Sequence, residues 1–342
     1  MSSPLASIHF AISHPAGSII PTLQSLGAQT WQQFQVVLVD NASQDIEIPW
    51  ERGVGPEVMM LRNFRDQGFS RAHNQALSSL FARWEPSTWQ DRYIVLASSR
   101  VLFAPDAIQQ MIQALEQDSA LMVVAPKVRQ ASLHANEDSD EPILKDNGII
   151  EQVGLKLGHG LVLTPRGRGE KDTGQYDSQP PELLGNWCLV MRASALMQAK
   201  MGEEWLDADL PEAYAMADVA WRLRTLQFPI QLVPQALVWV QRAQTPPSGI
   251  IARIKQWYGQ EALQERKSYS YACVLRGKNA AWSSLIVAMP WLWFAWLKRL
   301  FVTLADLRIL PAIMKSWLVL PRALHKRKFL SLAIQQAQRG KS

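Results

Sequence analysis

Cysteine is almost missing from this chain: Cys188 and Cys273 are the only two in 342 residues. Two isolated thiols supply neither a disulfide framework nor metal-ligand spacing, which suits a reducing compartment. The opening MSSPLASIHF lacks a basic start followed by a long apolar run, so no secretory signal is expected and the body is expected in the cytosol. Charged residues are also sparse, at 19% against 48% apolar, the balance of a globular chain able to bury a sizeable core. There is no internal repeat and no nucleic-acid motif. No Gly-rich loop near the amino terminus is suited to hold a triphosphate, which argues against a nucleotidyltransferase. Acids nearly vanish after Ile251: 16 Lys/Arg face 3 Asp/Glu there, a net +13, so with +5 on the whole chain the preceding residues carry −8. A basic tail on an acidic body points to an anionic surface, membrane lipid in preference to nucleic acid. Tryptophan, by contrast, is plentiful, at 14.

Apolar runs at Ile8–Ile12 and Phe34–Val39 flank a helical pattern at Ile19–Leu26, the strand–helix–strand opening of a parallel α/β sheet. Further strands are expected at Glu57–Leu61, Tyr93–Leu96, Leu121–Ala125, Trp187–Met191, Ile230–Val233 and Leu237–Val240, and a Gly-rich strand region at Ile149–Leu163. Helices are expected from Ser70 to Leu80, from Pro105-Asp106 through Leu115, from Ala193 to Met197, and from Asp218 to about Gln227. The polar stretches Gln130–Asp146 and Thr164–Pro181 read as surface loops.

Four segments carry more than secondary structure: SIHFAISHPAGSIIPTLQSLGAQTWQQFQVVLVDNAS from Ser7, RNFRDQGFSRAHNQAL from Arg62, YIVLASSRVLFAPDAI from Tyr93, and AYAMADVAWRLRTLQFPIQLVPQALVWV from Ala213. In this order and spacing they resemble family-2 glycosyltransferases of the GT-A fold, especially the rhamnosyltransferase-like group, over roughly Ser7 to Arg242. The resemblance implies a Rossmann-like α/β fold, a mainly parallel sheet flanked by helices. It also implies an inverting transferase that moves a sugar from a nucleotide-diphosphate donor, a dTDP- or UDP-sugar, to a lipid-linked or cell-surface polysaccharide acceptor.

Asp40 ends a strand at the carboxyl edge, where open α/β sheets bind ligands, and its carboxylate can accept the N3–H of a uracil or thymine ring. Asp40-Asn41-Ala42-Ser43 alone would equally make an Asx turn. By resemblance, Asp40, Asn41, Gly68 and Asn74 would bind the nucleotide, Asn74 either bonding the ribose or holding its loop. Arg71 is either a phosphate contact or solvated, and His73 reads as structural. The family's Asn-Asn-Asp site is Ser98-Ser99-Arg100 here, and the usual histidine after the last strand's aromatic, Trp239, is Val240. Arginine has only donors and cannot bind a cation, so no divalent metal is expected. Arg100 would either meet the diphosphate as a planar cationic fork or pair with a neighbouring acid in a dead site.

The family's Glu-Asp is Ala217-Asp218, leaving Asp218 as the expected base on the acceptor hydroxyl; on its own it is also a carboxylate placed at a helix start by the macrodipole. Arg224 aligns with a family arginine. The segments Arg166–Glu170 and Gly174–Asp177 resemble a family loop bordering acceptor and diphosphate, so Arg168 is an expected phosphate contact and Arg166 an acceptor-side cation. Trp187 replaces a small residue beside the acceptor and either narrows that pocket or packs in the core. Asp207 and Asp209 match a family turn. The losses at Arg100, Ala217 and Val240 also suit an inert relative that serves as a scaffold or binding protein at the membrane.

Residues 1–244 are expected to form the transferase domain and 245–342 a basic, Trp-rich helical region, with Thr245–Gly249 as linker. Asn279–Leu297 has no charge, includes Trp282, Trp291, Trp293 and Trp296, and is about the roughly 20 residues a bilayer span requires. Ser283, Ser284 and Pro290 interrupt it, and Asp306, Arg308 and Lys315 interrupt the next apolar stretch. Interfacial helices, with His325-Lys326-Arg327-Lys328 facing anionic lipid on the cytosolic side, are the expected arrangement; a bundle on the body and a hairpin dipping into the bilayer are the others.

Overall fold

A computed structural model describes residues 5–12, 19–43, 55–134, 143–158, 163–241, 263 and 271–339. The β-branched run of Phe34–Asn41 (β2) is buried at every position, as a strand covered on both faces must be. It pairs in parallel with Ala6–Ile12 (β1) on one side and Glu57–Asn63 (β3) on the other, and β1 pairs in parallel with Tyr93–Ala97 (β4). Helices Ile20–Gly27 (α1) and Phe69–Phe81 (α2) make the connections. Then follow Val101–Phe103 (β5), Ala107–Gln117 (α3), Val123–His134 (β6), Ile143–Gln152 (β7), Leu155–Leu157 (β8), Leu163–Pro165 (β9), Cys188–Arg192 (β10), Ala193–Gln198 (α4), Glu212–Thr225 (α5) and Ile230–Gln241 (β11). The order across the mixed sheet is β3-β2-β1-β4-β10-β6-β11-β5, with β7 beside β6, and β8 and β9 form a separate ribbon.

Side-chain alternation divides the core. On β4, Ile94 and Leu96 join a cluster with Leu77 and Leu80 of α2 and Val219 and Leu223 of α5, whereas Tyr93, Val95 and Ala97 join Leu23 of α1 and Ile108 and Met111 of α3. A sheet between two helical layers results. After β11 come Ala272–Asn279 (α6), Trp282–Ala305 (α7) and Leu310–Arg339 (α8). Tyr271, Val274 and Leu275 belong to the same cluster as α2 and α5, so α6 is built into the body. The expected linker and the boundary at 244/245 lie outside the described residues.

Three local expectations are corrected. Gln130–Asp146 is not one loop: β6 runs on to His134 and β7 begins at Ile143, because Arg129, held by Asp146 and Asp172, satisfies the polar positions of the hairpin. The two expected final strands are one, β11, whose register shifts between Val233 and Leu237, around Pro234, which has no N–H for the ladder. Helix α5 begins at Glu212, so Asp218 lies in its interior.

Candidate active site at the carboxyl edge of the sheet

β1, β2 and β4 all end on one edge, and the chain turns there at Asp40 and at Ser98–Arg100. Asp40 is 4% exposed. Its Oδ1 accepts the Ser43 amide at 2.8 Å and the Ser43 hydroxyl at 2.5 Å, closing an Asx turn, and Arg62 Nε lies 3.7 Å from Oδ2. Asn41 ties this edge to α2: its Nδ2 donates to the Gly68 carbonyl at 3.4 Å, and its Oδ1 accepts from Asn63 at 2.9 Å. Gly68 precedes α2 at φ +82°, a conformation L side chains rarely adopt, and its amide donates to Asp66.

Asn74 is engaged within the protein. Its Nδ2 donates to the Leu206 carbonyl at 2.7 Å and its Oδ1 accepts the amides of Trp205 and Leu206, so it staples α2 to the segment ahead of α5. Of the two expected roles, bonding the ribose or holding its loop, these contacts are of the second kind. His73 is fully buried, 6.5 Å from the ring of His9, and among the described residues neither imidazole has a hydrogen-bond partner. Burial, with Coulombic repulsion from His73 and Arg83, lowers the His9 pKa, and burial lowers that of His73 to about 3, so both are neutral.

Between β4 and β5, Ser98 donates its amide to the Trp187 carbonyl, and Ser99's carbonyl accepts from Thr22. Arg100 is exposed, with its guanidinium carbon 5.1 Å from the centre of the Trp187 ring. It pairs with no acid among the described residues. Trp187 thus forms a platform under the cation at the edge. The neighbouring Asn186 is held from two elements: Gln152 of β7 accepts its amide at 2.8 Å and donates to its Oδ1 at 3.0 Å, and its own Nδ2 donates to the Ala213 carbonyl in the first turn of α5.

Arg100 offers only donors, Val240 is buried in the core, and among the described residues no group of three His, Cys, Asp or Glu is gathered to hold a metal.

The loop cations are largely committed within the protein. Arg166 is 5% exposed, stacks on Tyr176 at 4.6 Å, and donates to the carbonyls of Gln179 and Pro180 and to the Gln179 side chain. It braces its own loop. Arg168 lies 3.3 Å from Glu151, which is nearly inaccessible. Lys127 of β6 holds Asp172 at 3.1 Å and Asp177 at 2.5 Å, pinning the loop to the sheet.

Asp218 is the largest departure. It is fully buried; Arg222, one turn on, donates to Oδ2 at 3.0 Å, Lys278 Nζ sits 2.7 Å from Oδ1, and Asn279 donates to the same oxygen at 2.6 Å. Arg222 also donates to the Ala199 and Trp205 carbonyls. Lys278, itself buried, bridges to Asp207 at 2.6 Å, and Lys326 of α8 reaches Glu204, Asp207 and Asp209. Burial pushes the Asp207 carboxyl up, but Lys278 and Lys326 outweigh it and hold its pKa below the ordinary range. An acceptor hydroxyl cannot reach Asp218 past these partners, so the expected accessible base is corrected to a structural ion pair. Glu212, half-buried in the first turn, is the other acid of α5. Arg224 pairs with Glu182 at 3.3 Å.

Sequence reading missed Lys278 and His9, and it turned Lys326 to lipid where the structure turns it to the acids Glu204, Asp207 and Asp209. The signal for the lysines was the charge asymmetry itself: the acids Glu203–Asp209 and the basic tail neutralise each other.

Residues 15–159 match the family described as Glycosyl transferase family 2. No curated protein matches the chain in sequence. Among solved structures, GalNAc-T7 with UDP, GalNAc and Mn2+ is similar with a TM-score of 0.50 and 11% identity, over 82% of this chain and 52% of that one. The mannosyltransferase PcManGT from Pyrobaculum calidifontis, with GDP-Man and Mn2+, gives 0.48 and 13% over 100% and 89%. TarS of S. aureus gives 0.46 and 12% over 82% and 50%. The chain spans about half the length of the GalNAc-T7 and TarS chains, and at these identities the likeness bears on fold alone. Residues 15–159, which take in α1 and β2 through β8, are thus similar to a glycosyl transferase family 2 domain, and the chain has a GT-A-like fold.

Proposed function

We propose that this protein is an inverting glycosyltransferase that uses a nucleoside-diphosphate sugar, a UDP- or dTDP-sugar, without a divalent cation, and delivers the sugar to a lipid-linked or cell-surface glycan. The carrying observation is Arg100: an exposed guanidinium on a tryptophan platform at the carboxyl edge of β4, without an acid partner among the described residues. A planar fork there pairs bidentately with a diphosphate and stabilises the charge it gains on leaving. Donor binding is supported by the GalNAc-T7 structure, described with UDP. The acceptor oxygen attacks the anomeric carbon, the bond from that carbon to the diphosphate oxygen breaks, and the diphosphate leaves with the electron pair. The hydroxyl proton passes to a carboxylate, to which we assign Glu212, beside the Ala213 carbonyl that Asn186 holds.

Calorimetry of UDP and dTDP in excess EDTA tests the reading. Arg100→Ala is expected to weaken binding roughly 10- to 100-fold, the worth of one charge-assisted contact. Binding that appears only with Mn2+ overturns it. Donor turnover in EDTA that survives Glu212→Gln removes Glu212 from the base role.

A second reading, an inert transferase-like binding protein, is favoured by the sequestration of Asp218. Donor binding without hydrolysis or transfer to any glycan or lipid-linked acceptor would establish it.

A further inference from the structure

From Leu285 to Leu297 the long helix α7 is apolar on every side, and it is almost uncovered. Its 24 residues have a mean hydropathy of 1.5 over the best window, and 6% of that window is buried. Val287 is 79% exposed, Trp293 68% and Phe294 65%. A helix that is hydrophobic all round is either enclosed by protein or immersed in lipid. Five aromatics, Trp282, Trp291, Trp293, Phe294 and Phe301, each show about half or more of their surface. At roughly 150–250 Å² each, they present on the order of 500 Å², beyond the few hundred Å² of a typical patch on a monomer. Exposed Met314, Trp317 and Leu318 of α8 add to it.

The ends of α7 are fixed by the body. It starts two residues after α6, and the Arg327 guanidinium of α8 lies 4.5 Å from the Trp282 ring. α8 is itself held down along its length: Ser316 contacts Cys273 at 3.9 Å, Arg327 donates to the Gly277 carbonyl, and Lys326 enters the acidic cluster. From Asp306 at the end of α7 to Ser316 on the body there is only a single 3-10 turn and six helical residues, about 15 Å of chain. α7 is about 36 Å long. Standing perpendicular to the body it would need its far end farther away than that tether allows, so it runs back along α8.

We propose that α7 and the exposed face of α8 form an in-plane anchor that seats this protein on a phospholipid bilayer without crossing it. The occupant is lipid because the apolar surface surrounds the helix, where a protein partner would cover one stripe, and because tryptophans are the residues that settle at headgroup depth. Charge has a lesser part than the sequence suggests. Among the described residues, Lys326 and Arg327 of the basic cluster are turned to the body, Arg308 forms a two-point pair with Asp306, and Arg322 lies 3.4 Å from Asp209, leaving Lys315 and Lys328 as exposed lysines. Apolar insertion therefore drives attachment, and anionic lipid adds to it. This inference does not depend on the donor chemistry.

The test is flotation of the full chain with phosphatidylcholine vesicles and with vesicles containing 30% phosphatidylserine, at 0.1 and 0.5 M NaCl. Binding is expected to both, stronger to the anionic vesicles, and largely retained in high salt. The double variant Trp293→Glu, Phe294→Glu is expected to lose at least tenfold in partitioning while unfolding at the wild-type temperature. A Leu307→Cys variant is expected to react with an impermeant maleimide added outside the vesicles, as an in-plane turn must. Failure to float, flotation confined to anionic vesicles and abolished by 0.5 M NaCl, self-association in place of flotation, or protection of Leu307→Cys would each overturn the proposal.

Discussion

Asp218→Asn separates two roles for one carboxylate. Asp218 lies with Arg222, Lys278 and Asp207 in a buried group, each fully or almost fully inaccessible. The substitution removes one negative charge, leaving Arg222 and Lys278 with less compensation, and the new amide presents a donor where donors already converge. Breaking a buried pair from one side costs about 3–5 kcal/mol, because the remaining charge stays out of water. An unfolding entropy of roughly 2.1 cal/mol/K per residue gives about 0.7 kcal/mol/K for a chain of this size, so Tm should fall by about 4–7 °C. Thermal unfolding followed by circular dichroism reads this directly, with calorimetry to check that heating exposes one transition. A variant that melts within 1 °C of wild type yet has lost all turnover would refute the structural reading and return Asp218 to the role of base.

Lowering the pH should destabilise the protein through its two buried histidines. His9 and His73 have folded pKa values below the ordinary 6.5, so the unfolded chain binds more protons below that pH and stability falls as pH drops from 6.5 towards 3. At pH 5 His73 alone costs about 2 kcal/mol relative to pH 7.5, and His9 adds in the same direction; urea midpoints that stay level over this range would contradict it. Gly154→Ala should cost roughly 2–4 kcal/mol, since φ is +106° and a Cβ would lie 2.4 Å from the Pro181 Cβ and 2.8 Å from the Leu183 carbonyl oxygen. Equal urea midpoints for this variant and wild type would show that the turn relaxes around a methyl group.

Strand and helix positions were legible where pattern and burial coincide. Phe34–Val39 and Tyr93–Leu96 are apolar series short enough for strands, and both lie inside the sheet with a strand on either side. The three residues of β5 carry too little pattern to be recognised, and they pair only because β11 lies beside them. The start of α5 was misplaced because Asp218 resembles a first-turn acid, whereas the charge is stabilised by Arg222 one turn on and by Lys278 from another helix.

The sequence by itself determined the α/β class, the order of the motifs, and the presence of arginine where a cation ligand is expected. These depend on residue type, local periodicity and spacing, which the chain carries without folding. Only the tertiary structure decided which polar and charged groups are available. Asn74, Arg166, Asp218 and Lys326 all resemble surface chemistry in sequence. Each is consumed by a partner between 13 and 132 positions away. A charge's role depends on the group that faces it at about 3 Å, and that pairing is set by packing across distant segments.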